Sequence, residues 1–281
     1  MPELSLGVTL AVLGAALAHA AWNAMVKSSP DVLLDMTVVI TCGGLAALPL
    51  LLWVAPPARA AWPYLAATVV LHIGYYIALV GAYRAGDLSH GYPIMRGVAP
   101  LLVAACSSVW LGETPKPGIW AGVLLICGGV LSLGLAGFHW RTSRVSTGWA
   151  LANAVIIASY TLVDAAGVRA SGSPAGYVLW MFVLDAAPFP IVVFWLKGRV
   201  LVEYMKKFWL RGLAGGVLSG AAYGIALWAM ARAPVAAVAA LRETSVIFAA
   251  LMGAYLLKEG HVKRRLAGAA AVVLGVIALK V

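Results

Sequence analysis

Stretches of about 20 apolar residues, broken only by short charged or Pro/Gly-marked segments, follow one another along the whole chain. A helical run of that length matches the hydrocarbon thickness of a bilayer, so the pattern leaves little freedom in what the chain can fold into. Composition points the same way. The 281 residues are 63% hydrophobic and 11% charged, with a mean hydropathy of +0.95, whereas a soluble domain carries roughly 45–50% apolar and about 25% charged residues. A water-soluble globule is excluded, and the expected class is an all-α integral membrane protein. Ten transmembrane helices are expected, over 5–26, 33–54, 62–83, 90–111, 117–137, 147–169, 176–196, 209–231, 236–257 and 262–280. Ten spans of about 20 residues use about 200. The roughly 80 residues that remain, spread over loops and termini, cannot hold a soluble catalytic domain.

The charge excess reports orientation. Lys and Arg number 20 against 10 Asp and Glu, and in a membrane chain such an excess collects in cytoplasmic loops rather than marking a nucleic-acid partner. Arg59, Lys116, Arg169, Arg232 and Lys280 lie on the side of the termini, five in all. Thirteen lie on the other side, among them Lys27, Arg84, Arg141, Arg144, Lys206, Lys207 and Arg211. The bias rule therefore places both termini outside the cytoplasm; the expected location is a bacterial cytoplasmic (inner) membrane, with both termini periplasmic. Ala18-His19-Ala20 imitates a cleavage site, but no Lys or Arg precedes Lys27 and the apolar run continues, so the first helix is expected to stay. Cys42, Cys106 and Cys127 sit inside apolar runs without metal-ligand spacing, which predicts neither a disulfide framework nor a metal site.

The chain also repeats itself. A shift of 146 residues lays Arg96 on Arg242, Leu111 on Leu257, Glu113 on Glu259 and Gly122 on Gly268, and continues through Gly129-Val130 with Gly275-Val276. A weaker shift of 138 lays Ala20-Ala21-Trp22-Asn23 over Ala158-Ser159-Tyr160-Thr161. Hydrophobicity alone would not align Arg, Glu and Gly. Two repeats follow, 1–140 with helices one to five and 141–281 with helices six to ten. Because five spans is an odd number, the second repeat enters the membrane from the opposite side. Such inverted repeats place a substrate site at their interface near the midplane.

An acidic residue closing a span, followed by a Gly-rich helix ending in Gly-Val, thus occurs twice: Leu111-Gly112-Glu113 with Gly122 to Val130, and Leu257-Lys258-Glu259 with Gly268 to Val276. In this the chain resembles the tandem EamA domains of the drug/metabolite transporter superfamily over nearly its whole length, with Lys258 standing where a Gly is usual. The resemblance implies a ten-helix, two-repeat secondary transporter, often an exporter of amino acids or related metabolites.

Ionisable groups within spans cost about 2.5–3.5 kcal/mol on insertion scales, so each calls for a partner or a water-filled cavity. His19, His72, Arg96, Asp164, Asp185, Arg242 and Glu243 qualify. On helix one, His19, Trp22 and Asn23 share a face, combining imidazole, aromatic ring and amide as a zwitterionic ligand requires. Helix three repeats the idea with His72, Tyr75 and Tyr76, and helix six carries Asn153, Tyr160 and Asp164 on one side. The helix-one set also reads as hydrogen-bonding glue between helices, and on helix three Tyr83, at the span end beside Arg84, suits an interface belt. Asp164 is placed to bind an amine, to pair poorly with Arg169, or to sit near the headgroups without a partner. Arg96 and the matched Arg242 would attract a carboxylate, and Arg96 with Glu243 forms an inter-repeat gate or a structural ion pair. Gly212, Gly216, Gly220 and Gly224 make a smooth groove on helix eight; Pro93, Pro100, Pro188 and Pro190 are expected to bend helices four and seven.

No GxxxxGK[ST], HExxH or GxSxG occurs, which argues against ATP-driven transport and hydrolysis by this chain. The expected function is secondary export of small zwitterionic metabolites, amino acids first, with aromatic or neutral side chains. No catalytic residue and no cofactor are expected. His19 or His72 would make protons a coupling ion, although a passive facilitator needs neither. Uptake or export of another metabolite or drug, a membrane-embedded lipid-modifying enzyme, and a non-transporting sensor or chaperone subunit are the rival readings.

Overall fold

The computed structural model describes residues 4–85, 88–135, 144–249 and 262–280. All regular structure among these is helical. In chain order the elements are α1 (Leu6–Lys27), α2 (Val32–Leu50), α3 (Trp62–Ala85), α4 (Leu88–Leu111), α5 (Pro117–Leu135) and α6 (Arg144–Ala170). They continue with α7 (Pro174–Asp185), α8 (Pro188–Lys197), α9 (Arg199–Met230), α10 (Val235–Arg242) and α11 (Val262–Ala278). Among the described residues seven helical stretches are long and apolar enough to cross a membrane, and Pro117–Ser132 and Ala267–Ala278 form shorter apolar helices. The expected count of ten falls partly on residues outside those described, as does the second turn motif at Leu257 to Glu259.

Helix ends follow local chemistry. The Asp31 side chain accepts the Leu33 and Leu34 amides at 3.0 and 3.1 Å, and Ser173 accepts the Gly176 amide ahead of α7 at 3.2 Å, each satisfying a donor that the first helical turn cannot. At the end of α4, Gly112 adopts φ +66°, a conformation open to glycine at little cost. The turn it makes carries Glu113 back over the bundle, where its amide bonds the Ser107 carbonyl at 3.2 Å.

Three expected spans are interrupted or extended. The run 176–196 is split at Ala186-Ala187, because Pro188 and Pro190 lack amide hydrogens and their rings crowd the carbonyls four residues back. Pro93 and Pro100, by contrast, are carried inside a continuous α4. The run expected from 209 begins at Arg199, with a kink at Phe208 (φ −117°, ψ 17°). The run 236–257 breaks after Arg242, where Glu243-Thr244 form a turn before helix resumes over 245–249.

The helices pack in a reciprocal pattern. Numbering the expected spans in order, α3 on α6 is matched by α9 on α1, α4 on α6 by α10 on α1, and α2 on α9 by α7 on α3. The equivalent pairs α2 with α7, α4 with α10 and α5 with α11 meet each other. The last contact is the most exact in geometry. A methyl group added to Gly122 would lie 2.8 Å from the Gly275 carbonyl oxygen, and one added to Gly129 would lie 2.9 Å from that of Gly268. Under the shift of 146, Gly122 maps to Gly268 and Gly129 to Gly275, so exchanging the two halves turns one contact into the other. The two helices run antiparallel.

Elsewhere the helix-eight glycines do what the ladder suggested: Gly212 abuts Val38, Gly216 abuts Gly43, and Gly224 faces Val178. Large apolar side chains such as Val109, Trp195 and Leu52 point outward, 89%, 85% and 83% exposed, an inside-out distribution that only lipid can cover.

Candidate functional site

Where α1, α2, α3, α4, α6, α7, α9 and α10 converge, a cavity of about 110 Å³ opens among polar groups. A single water needs only ~10–15 Å³ measured this way, so the space holds several waters or part of a solute. His19, Trp22, His72, Tyr75, Tyr76, Arg96, Tyr160 and Arg242 line it. Asp185, Tyr223, Ser219 and Phe182 complete its polar and aromatic surface.

The rings form one connected set. The His72 ring is 4.8 Å from Tyr160 and 6.3 Å from Tyr223, Tyr160 is 6.0 Å from both Tyr75 and Tyr223, and Tyr75 is 5.2 Å from Tyr76. All five contacts are edge-to-face, the arrangement that ring quadrupoles prefer. On α1 the Trp22 indole donates to His19 Nδ1 at 3.3 Å, which orients both rings.

Charge is distributed with both signs. His72 Nδ1 lies 2.6 Å from Asp185 Oδ2, joining α3 to the last residue of α7. Arg96 Nε lies 2.8 Å from Glu243 Oε2, both side chains buried, and the Arg96 guanidinium also reaches Ser245 Oγ at 3.4 Å. Arg242 is different: it stands over the Tyr223 ring at 4.8 Å and enters no ion pair among the described residues. The roughly 100° per residue of a helix explains how neighbours in sequence divide, Arg242 toward the cavity and Glu243 toward α4.

Two residues expected at the site lie elsewhere. Asn23 turns back on its own helix, its amide donating to the His19 carbonyl at 2.8 Å, the local bond that short polar side chains favour. Asp164 is fully buried and accepts hydroxyls from Tyr177 at 2.9 Å and Tyr223 at 2.6 Å. It anchors a cavity-lining ring instead of lining the cavity. The suggested Asp164–Arg169 pairing does not form. Arg169 instead bridges Glu113 at 2.5 Å and the Met230 and Ala233 carbonyls, while Glu113 Oε2 accepts the Val235 amide at the start of α10 at 2.9 Å. The turn motif thus caps a helix of the other repeat.

Asp185 and Tyr223 are the residues the sequence left without a role. Asp185 was visible as a mid-span carboxylate, but nothing in the linear pattern pairs it with His72. Tyr223 is a lone ring within the glycine ladder, with no sequence signal beyond its depth in the span.

A two-signed, ring-lined hollow between two halves of a multi-pass helical bundle is what a membrane transporter requires. The EamA-like transporter family model matches residues 5–135 and again 146–280, and the chain belongs to that family. One solved crystal structure aligns with it at a TM-score of 0.78 and 19% identity, covering 98% of each chain; at that identity the likeness shows the fold alone. No curated protein matches the chain. Family membership makes this a multi-pass membrane protein with a small-molecule cargo.

Proposed function

We propose that this protein is a secondary exporter of small zwitterionic metabolites, amino acids including aromatic and neutral ones, working by alternating access between repeats 1–140 and 141–281 threaded in opposite senses through a bacterial cytoplasmic membrane, both termini periplasmic. The observation that carries the reading is the cavity itself: Asp185 and Arg242 supply opposite charges within one ring-lined space. Trp22, Tyr75, Tyr76 and Tyr160 enclose an apolar or aromatic side chain, and the charged groups of the cavity hold the polar end. The antiparallel, reciprocal crossing of α5 and α11 supports inverted threading, since related spans of inverted repeats run in opposite directions.

Alternating access requires two arrangements of packed elements about a fixed site. The end of the bundle where α9 meets α10 is filled by a continuous buried cluster that includes Val12, Leu65, Val123, Val168, Leu227 and Leu241, and Glu113 with Arg169 ties that end together. At the opposite end Arg211 pairs with Asp35 at 3.3 Å and bonds the Met25 carbonyl. Each of these polar ties joins the two repeats, as a gate must. The helix breaks at Ala186-Ala187 and Glu243-Thr244 are where short segments can pivot. His19 or His72 offers a proton-binding group on the cavity wall; transport indifferent to an imposed pH gradient removes that coupling while leaving the carrier.

The test is counterflow. Proteoliposomes of the purified chain preloaded with individual amino acids are expected to accumulate the labelled form of at least one; counterflow of none removes the reading.

A further inference from the structure

Asp185 holds an unusual position. It is the last residue of α7, so its carboxylate stands at the negative end of a helix, where the macrodipole disfavours an anion and favours a cation. Only one of its oxygens is engaged. Oδ2 meets His72 at 2.6 Å, while Oδ1 is buried without a hydrogen bond, and the side chain is 10% exposed. Pro188 and Pro190 lack amide hydrogens, so the Leu184 and Ala186 carbonyls have no amide four residues on to accept from. A carboxylate with an open oxygen thus stands at the break, next in sequence to carbonyls short of their helical donors. Arg242 closes the other broken helix, on the same cavity and without an ion pair among the described residues.

We propose that Asp185, at the break between α7 and α8, receives the ammonium group of the transported zwitterion, and that Arg242 receives its carboxylate. This rests on the carrier reading above and deepens it by dividing the cavity into an amine subsite and an acid subsite. His72 holds Asp185 when the site is empty and is displaced as the ammonium arrives. Arg96 takes no part in recognition, because Glu243 already neutralises it. Discontinuous helices in membrane carriers present their C-terminal ends to cations in the same manner.

The experiment compares L-alanine, L-leucine and L-phenylalanine, each beside its desamino acid and its descarboxy amine, in proteoliposome counterflow in sodium and in potassium buffers. The unaltered protein is expected to favour an amino acid over its desamino acid by tenfold or more. Asp185→Asn is expected to bring the two within about twofold, with the desamino acid still carried. Arg242→Gln is expected to penalise the desamino acid more than the amine. His72→Ala, which frees Asp185 from its competitor, is expected to lower the half-saturation concentration for the amino acid several-fold, where a merely structural His72 would raise it. An Asp185→Asn protein that keeps the original preference overturns the assignment, as does a His72→Ala protein that binds more weakly. A flux that requires sodium, with the requirement lost in Asp185→Asn, also overturns it, since the site would then hold the metal ion. If the unaltered protein moves no zwitterion, the carrier reading itself fails and the subsite falls with it.

Discussion

The repeats meet along two surfaces of opposite character. Where α5 crosses α11, Gly122 and Gly129 bring backbone against backbone with Gly275 and Gly268. Where α1, α2, α3 and α4 face α6, α7, α9 and α10, the contact is made of rings, ion pairs and a cavity. Small residues allow dispersion forces to act over a close approach and leave no room for rearrangement. Polar side chains have alternative partners, and a hollow between them lets one set of contacts be exchanged for another. The seam is suited to hold the halves together, and the cavity wall to let them move.

The largest effect is expected on the polar surface. Glu243→Gln leaves the buried Arg96 charge without its partner, which costs about 3–5 kcal/mol when such a pair is broken from one side. A thermal melt of the detergent-solubilised protein should fall accordingly, and Arg96→Gln combined with Glu243→Gln should recover much of the loss. A single substitution that leaves the melt unchanged would mean that the pair is solvated, and the contrast between the surfaces would lose one of its sides.

The seam is tested next. A Cβ at Gly122 would lie 2.6 Å from the Leu279 side chain and 2.8 Å from the Gly275 carbonyl oxygen, and overpacking of this kind costs about 1–3 kcal/mol. Gly122→Leu should therefore lower the melting temperature, whereas the same change at Gly128, where an added methyl group meets nothing within 4 Å, should not. Equal behaviour at the two positions would show that α5 and α11 do not fit so closely.

Asp164 probes the boundary between packing and site. Asp164→Ala strips both the Tyr177 and Tyr223 hydroxyls of their acceptor, at about 1–3 kcal/mol for each buried group left unsatisfied. Because Tyr223 lines the cavity, flux should drop along with stability. A loss of stability with unaltered flux would make the Tyr223 ring irrelevant to cargo. Asn23→Ala gives the smallest change. Its amide serves only the His19 carbonyl of its own helix, so stability should shift by about 0.6 kcal/mol or less and counterflow should stay within twofold. A tenfold loss would return Asn23 to the site.

The sequence made the helical bundle legible because membrane solvation acts residue by residue: α1, α3, α4, α5 and α6 fall within a few residues of the apolar runs that predict them. The repeat was legible through charged and glycine positions that apolarity does not explain. The breaks were legible only where a proline marks them. Pro188 and Pro190 announced the end of α7, but the turn at Glu243-Thr244 contains neither proline nor glycine and coincides with tertiary contacts of Arg96 with Glu243 and Ser245. Face arithmetic brought His19 and Trp22, His72, Tyr75 and Tyr76, and Tyr160 to one cavity. It misplaced Asn23 and Asp164, because helical spacing gives the direction of a side chain and says nothing of a nearer partner. Asp185 found its partner 113 residues away in sequence, a distance that no local pattern spans.

The central claim, that water and cargo share the hollow between the repeats, is tested most directly at Ser219, a small residue on its wall. With Cys42, Cys106 and Cys127 replaced, Ser219→Cys in membranes should react with a water-soluble thiol reagent, and a transported amino acid should slow the reaction at least severalfold. A thiol that stays unlabelled, or one that labels at the same rate whatever amino acid is present, would contradict the account.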